Sequence, residues 1–111
     1  MIKTVILDHE PSHRKRLKNL VEEYCPEISL IGELSSGKTA LKKLPDLQFE
    51  LLLLDTELGD MNAFELLSQL PERDFLIIFI SGIDKYAGKA FSLNAVDYLM
   101  KPIEGKFYVL P

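Results

Sequence analysis

Three residues with complementary chemistry close three apolar runs of this chain. Asp55 follows Leu51-Leu52-Leu53-Leu54, Ser81 follows Leu76-Ile77-Ile78-Phe79-Ile80, and Lys101 follows the stretch from Val96 to Met100. In an open parallel sheet, side chains at the carboxyl ends of successive strands converge on one crevice. A carboxylate, a hydroxyl and an ammonium placed there outline a phosphoryl-transfer site.

The elements that must position these residues are written in the apolar pattern. Runs of four to six apolar residues alternate with segments of helical period, as expected of βα units and a parallel sheet. Val5-Ile6-Leu7 reads as the first strand, ending at Asp8. Pro11 to Tyr24 reads as a helix that opens on a proline and buries Leu17, Leu20, Val21 and Tyr24 at i, i+3, i+4, i+7 spacing. Ile28 to Ile31 is a second, more exposed strand, and Ser36 to Leu44 a short helix stopped by Pro45. Leu51 to Leu54 is apolar at every position, which marks a central strand covered on both faces. Phe64, Leu67 and Leu70 form a third helical stripe, and Tyr86, Ala87, Ala90, Phe91 and Asn94 a fourth. After Pro102 only Ile103 to Pro111 remain, too few for a usual helix, so the last helix is expected to be short or missing.

Composition bounds the function. A chain of 111 residues with 47% hydrophobic content supports one core, a single domain over residues 1–111. A net charge of -4 argues against direct nucleic-acid binding by this domain, which needs clustered Lys and Arg. Cys25, the single cysteine, suits a buried place at a helix end in a reducing compartment. Met1 leads straight into Ile2-Lys3-Thr4-Val5 without a signal-peptide pattern, and no apolar stretch approaches the ~20 residues that span a bilayer. The expectation is a cytoplasmic protein that does not engage the membrane.

At this point the residues resemble a known family. Leu-Asp-His-Glu-Pro at the first strand end, Leu-Asp at the third, Ile-Ser-Gly at the fourth and Asp-Tyr-Leu-Met-Lys-Pro at the fifth are similar to a two-component response-regulator receiver domain. The resemblance runs over residues 3 to 103. The segments Ile78 to Gly82, Tyr86-Ala87, Ala90-Phe91, Asn94 to Leu99 and Lys101-Pro102 are most similar to receivers of LytTR-type regulators.

The resemblance implies a flavodoxin-like (CheY-like) five-stranded parallel sheet in the order 2-1-3-4-5, with helices on both faces. It implies that Asp55 accepts the phosphoryl group from a sensor histidine kinase, that Lys101 neutralises one phosphoryl oxygen and holds the unmodified carboxylate, and that Ser81 hydrogen-bonds another. Tyr98 matches the switch aromatic. A divalent ion, normally Mg²⁺, would bridge Asp8, Asp55 and the backbone carbonyl of Glu57.

The chain also departs from the pattern. The family usually carries two adjacent acids at the first strand end, where this chain has Asp8-His9. Imidazole at the metal-contacting position weakens magnesium or favours a softer ion such as Mn²⁺. The expectation is that His9 turns outward, leaving Asp8 and Asp55 to hold a hydrated ion. Beyond the acceptor the usual Pro and Gly are replaced by Gly59 and Ala63. Gly59 frees that loop, and Ala63 asks it to avoid positive φ. His13 is expected to face solvent.

Three function classes follow. The first is a phosphorylatable receiver, not a turnover enzyme, that switches an output in transcription regulation. The second is a pseudo-receiver acting as an interaction module without phosphorylation. The third, a phosphatase of the haloacid-dehalogenase type, requires an Asp two residues past the nucleophile, where this chain has Glu57, and a late acidic pair that is absent. The short end suggests either the N-terminal part of a longer regulator, or a homodimer or docked neighbouring chain joined through Phe107 to Leu110.

Overall fold

The computed structural model describes residues 1–70, 74–82 and 97–101. Five strands, β1 (Ile2–Leu7), β2 (Ile28–Leu34), β3 (Leu51–Asp55), β4 (Leu76–Ser81) and β5 (Asp97–Met100), form one sheet in the order β2-β1-β3-β4-β5. All four pairings are parallel. The connecting helices are α1 (Pro11–Tyr24), α2 (Gly37–Lys43), which runs into a 3₁₀ turn at Leu44–Asp46, and α3 (Ala63–Gln69).

The all-apolar third strand is explained by its two faces. Leu52 and Leu54 point into one core with Val5, Leu7, Ile77 and Phe79, closed by Ala40 of α2 and by Phe64 and Leu67 of α3. Leu51 and Leu53 point into the other with Ile6, Ile78 and Ile80, closed by Leu17 and Val21 of α1. Successive strand residues face opposite sides, so a strand sandwiched between helices has no position left for a polar group. The Phe64 and Phe79 rings stack with centroids 5.2 Å apart.

Helix starts are secured locally. Pro11 opens α1, which fits because the first-turn N–H has no helical partner. The Ser36 hydroxyl accepts from the Thr39 N–H at the start of α2, and the Asp60 carboxylate accepts from the Gly37 and Lys38 N–H groups, both at 2.9 Å. Those two backbone bonds, Lys38 first, hold the Asp60 carboxyl below its usual range. Asn62 and Glu65 form a reciprocal capping box on α3.

The structure adjusts several boundaries. β2 runs to Leu34, not Ile31, because the register slips between Thr4 and Val5 and Ile31 is accommodated as an extra residue opposite β1. Tyr24 is 45% exposed, so the buried stripe of α1 reduces to Leu17 and Val21 with Leu20 partly covered. Cys25 is buried just past α1, as expected. The helix expected from Tyr86 to Asn94, the last helix and the Phe107 to Leu110 segment lie outside the described residues.

Truncating the central strand tests this two-faced core. Leu53→Ala is expected to lower the unfolding free energy by about 2–5 kcal/mol, whereas Tyr24→Ala stays within about 0.5 kcal/mol of the parent. Urea denaturation of both variants measures the contrast.

Candidate functional site

The crevice opens where the carboxyl ends of β1, β3 and β5 meet. Asp8 directly follows β1 and Asp55 is the last residue of β3, and each is only 4% exposed. Their carboxylates share one cation: the Lys101 Nζ donates to Asp8 Oδ2 at 3.0 Å and to Asp55 Oδ2 at 3.1 Å. Lys101 is carried there by its own backbone, whose N–H donates to the Ser81 carbonyl at 2.8 Å just beyond the β4–β5 pairing.

The outer oxygens are held by the loops. Asp8 Oδ1 accepts from the Glu10 N–H at 3.0 Å, and Asp55 Oδ1 from the Glu57 N–H at 3.2 Å. Arg14 of α1 donates to the Asp8 carbonyl at 2.6 Å and to Glu33 of β2 at 3.2 Å, tying the first loop to the sheet edge. Lys18 reaches the same Glu33 at 2.9 Å. The Lys18 hydrogen bond is the main reason the Glu33 carboxyl lies below its usual range, with Arg14 assisting against a smaller opposing effect of burial.

Asp55 shows the reverse. Burial, and after it the neighbouring Asp8 charge, push its carboxyl above the usual range, although the Glu57 N–H and Lys101 pull the other way. One ammonium does not fully compensate two carboxylates removed from water. The site is therefore short of positive charge.

Two histidines lie differently from expectation. His9 stays 38% exposed yet its ring leans over the crevice: its Nδ1 is 3.0 Å from the Glu57 carbonyl oxygen and 3.8 Å from Asp55 Oδ2. The His9 ring packs beside Gly59 of the loop after Asp55, which takes φ +86°. Loop bonds from Leu58 N–H to the Met61 carbonyl and from Ala63 N–H to the Thr56 carbonyl keep this turn compact, and Ala63 enters α3 directly.

His13 is 40% exposed, as a solvent-facing residue would be, yet it also reaches the crevice. Its Nδ1 is 2.8 Å from Lys101 Nζ and 3.8 Å from Asp8 Oδ2, while Nε2 lies 3.4 Å from Glu10. An ammonium only donates, so Nδ1 is the acceptor, and His13 joins Asp8 and Asp55 in using all three Lys101 protons. A helix that begins four residues past a strand end aims its first turn at the crevice. That signal identifies His13 in retrospect.

Ser81, at the end of β4, is fully buried, and its hydroxyl hydrogen-bonds the hydroxyl of Thr56. Thr56 was missed at the sequence level because nothing in its type distinguishes it from a loop residue. Tyr98 lies in β5 in register with Phe79 of β4; its side chain is outside what is described.

Asp8, His9 and Asp55 place one ligand atom each within 4.8 Å of one another, and the Glu57 carbonyl adjoins His9. Two carboxylates and a carbonyl are the hard donors a divalent cation takes, and a cation there supplies the charge that Asp55 lacks. The residues fit a divalent ion. Imidazole is the one donor that magnesium does not seek.

Comparison with known proteins agrees with this geometry. The family model described as "Response regulator receiver domain" matches residues 4–107. The transcriptional regulatory protein BtsR of Salmonella typhi is 36% identical over 107 residues, covering 96% of this chain and 44% of the relative. BtsR of Escherichia coli K12 is 35% identical over 105 residues, with 94% and 44% covered. The chain thus spans under half the length of these relatives. The crystal structure of the response regulatory domain of mrkE from Klebsiella pneumoniae superposes with a TM-score of 0.82 at 25% identity, covering 94% of this chain and 86% of that one. The response regulator domain of Thermotoga maritima CheB, at 21% identity, covers 96% and 83% with a TM-score of 0.80 and shares the fold. Among the described residues no helix is long and apolar enough to cross a membrane. With the strand order, the carboxylate crevice and a family match over nearly the whole length, this chain belongs to the response regulator receiver domains of two-component systems.

Proposed function

We propose that Asp55 is the phosphoacceptor of a two-component relay and that its modification by a sensor histidine kinase switches an output. The observation that carries this reading is the Lys101 ammonium held between two buried carboxylates at strand ends. In the transfer, a P–O bond forms to an Asp55 carboxylate oxygen as the P–N bond of the donor phosphohistidine breaks, and solvent supplies the proton to the departing imidazole. Lys101 is already beside the acceptor and stabilises the added negative charge. His13 gives Lys101 a third acceptor and keeps its ammonium at the crevice. A divalent ion, Mg²⁺ or Mn²⁺, held by Asp8, Asp55, the Glu57 carbonyl and His9, would supply further charge neutralisation.

Ser81 meets a phosphoryl oxygen by exchanging its Thr56 bond for one to the new group, and Tyr98 follows as the switch residue. The ligand shifts a population between two packings of this face. The domain acts stoichiometrically: water attack on the acyl phosphate returns Asp55 and inorganic phosphate, without turnover of an outside substrate. As relatives more than twice as long are transcriptional regulatory proteins, the reading extends to a cytoplasmic regulator with an appended LytTR-type DNA-binding domain. The receiver itself does not contact DNA.

A second reading rests on one observation. His9 already engages the Glu57 carbonyl that the ion would use. If that bond persists, the domain is a pseudo-receiver that acts by protein contact alone.

Acetyl phosphate with Mg²⁺ or Mn²⁺ is expected to leave one phosphoryl adduct on the parent by intact mass and none on Asp55→Asn. An adduct on the variant overturns the assignment, and no adduct on folded parent with either ion selects the pseudo-receiver.

The raised Asp55 pKa also has a thermodynamic sign. The folded chain binds this proton more tightly than the unfolded one, so stability falls as pH rises from the ordinary carboxylate value of 3.8 through the folded value. Asp55→Asn is therefore expected to melt a few degrees higher than the parent at neutral pH in metal-free buffer. The gap closes below pH 3.8, and adding a divalent ion at neutral pH narrows it by stabilising only the parent. Calorimetry across pH, with and without the ion, checks each limb.

A further inference from the structure

We propose that His9 is a direct metal ligand and that it makes this crevice select a first-row transition ion over magnesium. The inference deepens the reading above by naming the ion, and binding itself does not depend on phosphoryl transfer.

The geometry of the donors points to coordination. In an octahedral site with bonds of about 2.1 Å, adjacent ligand atoms lie about 3.0 Å apart. His9 Nδ1 and the Glu57 carbonyl oxygen are 3.0 Å apart, and Asp55 Oδ2 is 3.8 Å from the same nitrogen. Asp8 completes a set whose ligand atoms all lie within 4.8 Å of one another. The other ring nitrogen, Nε2, is 3.7 Å from Glu10 Oε1. At that distance the Glu10 carboxylate is a charge neighbour of the outer nitrogen, and a short side-chain movement makes it the partner that orients a ligating imidazole. Binding then exchanges the Nδ1 hydrogen bond to Glu57 for two bonds to one cation.

The chemistry of that set decides the ion. Magnesium takes oxygen donors and gives up its waters reluctantly, whereas imidazole suits the transition ions from manganese through zinc. An aspartate in place of His9 would make the protein donors oxygen throughout and add negative charge. The His9 side chain is 38% exposed, so substitution there leaves the core untouched.

Mg²⁺ and Mn²⁺ binding to the 111-residue chain is measured by calorimetry for the parent, His9→Asp and His9→Ala, with pulsed EPR for nitrogen coupling to bound Mn²⁺. The parent is expected to show nitrogen coupling and a Mn²⁺-over-Mg²⁺ preference about tenfold or more greater than that of His9→Asp. Coupling vanishes in both variants, and His9→Ala loses Mn²⁺ affinity. Absent coupling in the parent, an unchanged preference in His9→Asp, or tighter binding of both ions by His9→Ala each overturn the proposal; the last identifies the imidazole as a plug on the Glu57 carbonyl. Phosphoryl-adduct assays in parallel separate the two readings. An Asp55 adduct without nitrogen coupling overturns the metal assignment alone, and coupling without an adduct overturns the phosphoacceptor assignment alone.

Discussion

The contact between Lys101 and the carboxylates of Asp8 and Asp55 joins parts of the chain that are distant in sequence. It connects the ends of β1, β3 and β5, and through His13 it reaches α1. Two acids that are each nearly inaccessible to solvent repel one another with little screening. Burial first, and the Asp8 charge after it, keep the Asp55 carboxyl raised, and the ammonium offsets them only in part. A buried arrangement of this kind is a poor source of net stability, and its value lies in specifying a geometry. Here it specifies a crevice that gains from additional positive charge.

Topology puts the crevice where it is. β1 sits between β2 and β3, with α1 packed on one face of the sheet and α2 and α3 on the other. Loops leaving β1 and β3 therefore diverge to opposite faces and leave a gap between them at the carboxyl edge. Both loops are pinned by side chain to backbone bonds within two residues, Asp8 to the Glu10 N–H and Asp55 to the Glu57 N–H. Each acid thus fixes the loop that follows it. Arg14, Glu33 and Lys18 brace the first loop from the sheet edge.

The second loop explains how family geometry and an unusual residue coexist. Gly59 at φ +86° makes a turn that a Cβ would strain. The His9 ring lies beside it, and the Glu57 carbonyl meets the ring nitrogen. The histidine at the first strand end and the glycine of this loop are thus neighbours in space, although the residues are fifty apart.

Much of the fold was legible in sequence because burial on two faces demands unbroken apolar strands, and helices covering a sheet demand 3.6-residue periodicity. The extent of α1, the central position of β3 and the strand-end placement of Asp8, Asp55, Ser81 and Lys101 all follow from patterns that local physics imposes. Boundaries set by neighbours were less legible: β2 gains three residues because its register with β1 tolerates an extra one at Ile31, and Tyr24, the last residue of α1, is 45% exposed rather than part of the core. The directions of His9 and His13, and the pairing of Ser81 with Thr56, belong wholly to tertiary structure. A side chain at a loop or first helical turn has no periodicity to reveal its facing. Its partners arrive from strands forty to ninety residues away, and only their assembly decides where the polar groups find one another.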